Sequence, residues 1–233
     1  MRILTRSLSV VALVALLGPR WLGAQEKSSE NFRWYIGGQV GVFTFVTPTQ
    51  TRTSVFSVGG NVLVKAKRTG LLISVDEGIT AACLSKINGT CQQTSSYLDT
   101  TAANGVRQVI FHDTRQWSFV LTAFPVGNQV QPYIGAGFAL VQTVKEYPQG
   151  SFTSPGNQDS VQTQAQKRGS YGAGTALLGV QGRLSWVSLF AQVQVSTTPG
   201  NDKLLAGGPP ILFSGGVRFR LGSSREGITG GGY

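Results

Sequence analysis

The chain has 233 residues, enough for one large domain, and only 13% of them are charged, against roughly 25% in an ordinary soluble domain. Its 31 glycines argue against a helical protein, because each glycine inside a helix costs about 1 kcal/mol. The net charge of +10 invites a polyanion, yet Lys65, Lys67 and Arg68 make only a short cluster and no nucleic-acid fold is recognisable, so nucleic acid is not an expected partner.

Residues 1–24 read as a secretory signal peptide. Arg2 and Arg6 precede an apolar run from Val10 to Leu17, and small residues follow at Gly23 and Ala24. The run is too short to cross about 30 Å of hydrocarbon as a helix. Cleavage after Ala24 would remove three arginines and no acid, lowering the net charge from +10 to +7. No later stretch reaches the ~20 apolar residues that a transmembrane helix requires.

From there the sequence alternates with period two, as strands with two unlike faces do. Weak alternation over 32–46 predicts a first strand, followed by a polar loop at 47–53. In 54–67, Phe56, Val58, Gly60, Val62 and Val64 share one face; Ser57, Gly59, Asn61 and Lys65 take the other, with Leu63 as the exception. A tight turn at Arg68-Thr69 leads into a third strand over 70–79. The long polar stretch 80–107 holds Cys83 and Cys91 around "LSKINGT", where a disulfide would staple one loop in an oxidising compartment. Two cysteines and a single histidine do not supply the four ligands of a structural zinc, and no metal or cofactor is expected. Asn88-Gly89-Thr90 fits a glycosylation sequon, which means little if the host is bacterial.

A fourth strand is expected at about 108–125, a tight turn at "VGNQ" (126–129) and a fifth strand over 130–145. In the fifth, "QPYIGAGFAL" puts Ile134, Ala136, Phe138 and Leu140 on one face and Tyr133, Gly135, Gly137 and Ala139 on the other. The Gly-x-Gly pairs at 135/137 and 172/174 are no dinucleotide fingerprint, since no strand-to-helix switch with three spaced glycines follows. A polar loop at 146–168 precedes a sixth strand over 169–184 and a turn around Ser185. In 186–196, Val187, Leu189, Ala191, Val193 and Val195 oppose Ser188, Phe190, Gln192 and Gln194. After a loop at 197–209, Phe213, Val217, Phe219 and Leu221 oppose Ser214, Arg218 and Arg220, and a glycine-rich tail fills 222–233.

Eight strands with alternately long and short connections suit either a soluble sandwich or a membrane barrel, which differ in the face turned outward. Three features favour the barrel. Strands of ten to sixteen residues are long for a sandwich and sufficient for a tilted crossing of roughly 9–11 residues. Long loops fall at one end and tight turns at the other, the asymmetry of outer-membrane barrels. Trp34, Tyr133, Tyr147, Tyr171 and Trp186 lie near strand ends, where interfacial aromatic girdles sit. The expectation is an all-β, eight-stranded antiparallel up-and-down transmembrane β-barrel spanning 25–221. Its lumen is narrow enough for side chains to fill.

On these residues the chain resembles the small outer-membrane barrels of Gram-negative bacteria, the OmpA-like, OmpX-like and OmpW-like proteins. "VQPYIGAGFAL" after "PVGN" carries the likeness, as does "SGGVRFRL" at 214–221. The latter resembles the last-strand signal read by the barrel-assembly machinery, here Ser214, Gly216, Phe219 and Leu221. The resemblance implies the outer membrane as the location, its lipids and lipopolysaccharide as surroundings, and a monomer. It departs at "GSSREGITGGGY": either this is a flexible periplasmic extension, or Tyr233 is the terminal aromatic and the last strand begins later.

Inward parity collects Arg33, Asn61, Lys65, Asp76, Arg183, Gln192, Gln194, Arg218 and Arg220. Acids are scarce, so several of these arginines are expected at the periplasmic mouth, in water. A plugged, hydrogen-bonded lumen is the leading expectation and a small channel for polar or hydrophobic solutes the alternative. Ser74 and Asp76 share an inward face, and His112 falls on the face of Gln116 and Ser118; a favourable register would assemble the residue types of a nucleophile, base and orienter. No nucleophile-elbow motif supports that idea, and no catalytic residue is expected. Arg52, Lys86, Lys145, Lys167 and Arg168, in the outer loops and rims, could meet anionic lipopolysaccharide. The expected role is therefore non-catalytic, with the long loops making surface contacts. A lipid-modifying enzyme is the remote alternative.

Overall fold

The computed structural model describes residues 31–50, 52–83, 93–127, 129–152 and 154–225. The expected signal peptide, the Cys91 half of the expected disulfide, and the tail beyond 225 lie outside the described residues. Eight long strands form the barrel: β1 (Asn31–Phe45), β2 (Thr53–Lys65), β3 (Thr69–Cys83), β6 (Asp113–Ala123), β7 (Val130–Val144), β9 (Ser170–Leu184), β10 (Val187–Ser196) and β11 (Ile211–Arg225). Three short strands, β4 (Gln93–Leu98), β5 (Val106–Phe111) and β8 (Tyr147–Pro148), make a separate sheet, and one helix, α1 (Pro155–Gly169), precedes β9.

Each barrel strand pairs with the one before it, and β11 closes on β1. The printed pairings are antiparallel, so the barrel runs up and down. Closure leaves no unpaired strand edge, which is what an array surrounded by hydrocarbon requires. Tight turns link β2 to β3, where Ala66 N donates to Thr69 O at 2.9 Å, and β9 to β10, where Ser185 takes a φ of 58°. Those turns share one end with the start of β1 and the finish of β11. The long connections gather at the other end.

The alternation assigned the two faces correctly. Trp34, Ile36, Val40, Trp117, Phe119, Leu121, Ile134, Phe138, Leu140, Leu178, Leu189, Phe213 and Phe219 are exposed on the outside. Gln39, Asn61, Asp76, Gln116, Gln192, Gln194 and Arg218 are buried on the inside. Soluble monomers rarely expose contiguous apolar patches beyond a few hundred Å². An apolar band around a closed barrel is the surface of a membrane barrel.

Two interfacial assignments are corrected. Trp34, Trp186 and Tyr147 are exposed, but Tyr133 is buried in the lumen, and Tyr171 faces inward against a buried apolar cluster. The expected strand at 108–125 is also divided. Its first part is β5, outside the barrel, and β6 starts only at Asp113. The last strand continues to Arg225, past the expected boundary at 221.

The described parts of the long connections contain regular structure. Helix α1 starts at Ser154, whose side chain accepts from Asn157 N at 3.2 Å, with Pro155 in the first turn and Lys167 and Arg168 in the last. Those are regular start and stop signals. Only Val161, Ala165 and Gly169 are buried, a one-residue-wide stripe at spacing four. Ala165 packs with Tyr97, Val109 and Leu204. Beside this cluster Arg107 Nε and Asp99 Oδ2 form a buried ion pair at 2.8 Å. Helix, short sheet and the 197–209 loop thus make a cap over the long-loop end.

Candidate functional site

The barrel interior is the place where chemistry or transport would occur, and it is filled from end to end. At the long-loop end, Phe43, Phe45 and Val55 of the barrel meet Phe111 of β5 and Leu205 of the cap in one apolar cluster, joined by Val141 and Leu212. At the short-turn end, Tyr35, Leu63, Leu72, Val120, Phe124, Tyr133 and Leu177 form a second. Leu63, which broke the polar face of its strand in the sequence, is a member of this second cluster. Burying each such side chain contributes roughly 1.5–3 kcal/mol.

Between and beside these clusters runs a string of polar side chains. Gln39 Nε2 donates to Asp76 Oδ1, and Asn61 Nδ2 donates to Gln39 Oε1 at 2.9 Å. Arg218 Nε donates to Asn61 Oδ1 at 2.7 Å, and its two terminal nitrogens reach Gln192 Oε1 at 3.2 Å and Gln181 Oε1 at 3.5 Å. Tyr133 Oη donates to Gln192 Oε1 at 2.8 Å. The string then continues to the short-turn mouth through Gln181 Nε2 and Lys65 Nζ, which both donate to Gln131 Oε1, at 2.9 and 2.6 Å. A second branch has Gln194 Nε2 and Gln116 Nε2 donating to Ser118 Oγ at 2.8 and 3.1 Å.

Arg218 is the centre of this network and is fully buried. The expectation of a solvated arginine fails for it, whereas Arg33 and Arg183 are half-buried at the short-turn mouth and Arg220 is exposed. Among the described residues no carboxylate pairs with Arg218; amide oxygens and the Phe190 ring, 3.7 Å away, surround its charge instead. Such a cation persists because its donors are met, since burying an unpaired charge costs several kcal/mol. Gly59 makes the arrangement possible on the other side, because a Cβ there would overlap the Asp76 carboxylate.

Of the expected lumen set, Asn61, Lys65, Asp76, Gln192, Gln194 and Arg218 are buried in it, whereas Arg33, Arg183 and Arg220 belong to the rim. Gln39, Gln131 and Gln181 were missed. Parity would have found them, since they share faces with Tyr35, Tyr133 and Arg183. Ser74, Asp76 and His112 do not assemble. His112 is exposed outside the lumen, with its ring edge-on to Tyr147 at 5.5 Å, while Asp76 is held by Gln39.

One small space in the lumen, of about 140 Å³, is surrounded by Phe43, Ser57, Asp76, Gly78, Thr114 and Gln116. In the cap, burial alone would raise the Asp99 carboxyl, but hydrogen bonds from Thr101 and Arg107 outweigh it and hold the group below the usual carboxylate range. Burial pushes the Tyr97 phenol up.

No family model and no curated protein matches the chain. Among solved structures it is similar to Neisserial surface protein A, at 11% identity over 81% of this chain and 97% of that one, with a TM-score of 0.49. The N-terminal β-barrel domain of Pseudomonas aeruginosa OprF is 10% identical over 79% and 97% of the two chains, TM-score 0.41. The outer membrane protein OprG from the same organism is 11% identical over 84% and 94%, TM-score 0.39.

Proposed function

We propose that this chain is an integral protein of a Gram-negative outer membrane with a non-catalytic role: a sealed barrel that anchors a folded cap at the cell surface. The observation that carries the reading is the inside-out arrangement, an apolar exterior around a lumen closed by packed side chains. Both ends of the described barrel lie at the short-turn end, the periplasmic side of such proteins, which turns the cap outward.

A signal peptide at 1–24 would export the chain, and a Cys83–Cys91 disulfide would brace the loop leading into β4. Outward Phe219 and Leu221, with inward Ser214, fit a strand presented to the barrel-assembly machinery. Outer-membrane lipids and lipopolysaccharide would surround a monomeric barrel, with Lys145, Lys167 and Arg168 near the outer leaflet. A solute channel would require the Phe45–Phe111–Leu205 plug to move and the Arg218 network to part, so the anchor reading is preferred.

An epitope inserted after Ala103, in the exposed β4–β5 turn, tests this orientation. Antibody should label intact cells. Labelling only after permeabilisation would reverse the topology and remove the proposed surface role.

A further inference from the structure

The charges of the barrel are segregated along its axis. Arg33, Lys65, Lys67, Arg68, Arg183 and Arg220 all lie at the short-turn end. No acid lies there among the described residues. Asp76 is inside the lumen, and the other six described acids lie beyond it toward the long loops. The three described ion pairs, Arg107–Asp99, Arg115–Glu77 and Lys203–Asp202, are all on that acid-bearing side. Lys65 is spent inside, on Gln131 and the Phe124 ring, and Arg183 donates to Gly127 O at 3.2 Å. Lys67, Arg68 and Arg220 are exposed, Arg33 is half-buried, and none of these four forms an ion pair among the described residues. In sequence the flanking stretches 25–30 and 226–233 add Glu26, Lys27, Glu30 and Glu226, too few acids to cancel the six cations.

The same rim carries two of the three exposed tryptophans of the described residues, Trp34 and Trp186, while Trp117 lies further along the wall on β6. Trp34 follows Arg33 directly. Trp186 is 64% exposed, its ring is stacked on Phe219 at 5.6 Å, and its carbonyl accepts from Arg220 N at 2.9 Å. Exposed indoles on a barrel wall mark the level of lipid headgroups. Cations interleaved at that level meet phosphate, which guanidinium groups bind through paired donors.

We infer that the short-turn rim is a binding surface for anionic glycerophospholipid headgroups, with Arg33, Lys67, Arg68 and Arg220 as the contacting groups. This rests on the membrane reading above and adds a lipid class and a leaflet to it. The rim would hold phosphatidylglycerol-type lipids around the periplasmic end and fix the depth of the barrel. Lipid binding, unlike binding to an acidic soluble protein, accounts for the exposed tryptophans standing beside the cations.

The test uses the mature full-length chain carrying Trp117→Phe, so that the described indoles are those of the short-turn rim. It is reconstituted in phosphatidylcholine vesicles containing brominated phosphatidylglycerol or, at equal mole fraction, brominated phosphatidylcholine. Brominated phosphatidylglycerol should quench the tryptophans more strongly, with a relative affinity of about fivefold. Salt raised to about 0.5 M should shrink that preference. The Arg33→Gln, Lys67→Gln, Arg68→Gln, Arg220→Gln variant should lose it while keeping the heat-dependent gel mobility of a closed barrel. Equal quenching by both lipids in an inserted wild-type barrel would overturn the inference and assign the cations to an acidic soluble partner. Persistence of the preference in the quadruple variant would overturn it too. Failure to insert into either vesicle would instead contradict the membrane reading itself.

Discussion

Arg218 on β11 reaches across β1 to Asn61 on β2, its Nε donating to the amide oxygen at 2.7 Å. The path over β1 is open because Gly37 lies beneath it; a Cβ there would stand 2.9 Å from Arg218 Cγ. One buried cation thus ties β11 to β2 directly and to β9 and β10 through Gln181 and Gln192. It is a lock across the seam where the last strand meets the first.

Replacing Arg218 by alanine leaves the Asn61 and Gln181 amide oxygens without their donor and Gln192 Oε1 with Tyr133 alone. Loss of stability should be roughly 2–5 kcal/mol, read as a lower urea midpoint of the barrel in detergent micelles. Arg218→Lys keeps the charge but not the fork of donors, so its midpoint should fall between the two. An alanine variant as stable as wild type would remove the lock.

Glycine in the wall should matter only where something stands over it. A Cβ at Gly179 would overlap the Tyr133 ring, whereas nothing lies within 4 Å of one at Gly38. Gly179→Ala should therefore displace Tyr133 from Gln192 and cost about 1–3 kcal/mol, as overpacking does. Gly38→Ala should be neutral within about 0.5 kcal/mol in the same urea titration.

How much of this was legible in the sequence depends on what each residue reports. Period two shows which side of a wall a residue takes, so Phe138, Asn61 and Gln192 were placed correctly. It carries no height, so Arg218 could not be told from Arg220, two residues further along the same face but exposed at the rim. Parity also fails across a break. His112 counts as inward from Gln116, but the chain enters the barrel only at β6, and the ring sits outside, edge-on to Tyr147. The cap escaped because α1 is almost wholly polar and buries three residues only. Its signals were Ser154, Pro155 and the Lys167-Arg168 pair, which mark a helix without any apolar periodicity. Register, and with it the Asp76–Gln39–Asn61–Arg218 order, emerges only once strands pair.

The cap should respond to acid before the barrel does. Asp99 is held below its ordinary value, so its contribution is complete above the unfolded carboxylate pKa of about 3.9 and is lost as pH falls through the lower folded value. Hydrogen exchange across 93–111 should stay slow from pH 7 to about 4 and quicken below it. Asp99→Asn should speed exchange at neutral pH and flatten the acid response.

A sealed lumen should not conduct. Planar-bilayer recordings of the wild-type protein should show no steps above baseline. Phe45→Ala with Leu205→Ala thins the cluster at the long-loop end yet leaves Arg218, Gln192 and Tyr133 packed below, and it should also stay silent. Regular steps from the wild type would restore the channel reading.

The most direct test is the behaviour of the purified mature chain with and without amphiphile. A barrel with Trp117, Phe119, Leu121 and Phe138 outermost should be monomeric only in detergent or lipid, should precipitate when these are withdrawn, and should migrate differently on gels before and after boiling. A monodisperse, folded monomer in plain buffer would mean that those side chains tolerate water, and the membrane assignment would be wrong.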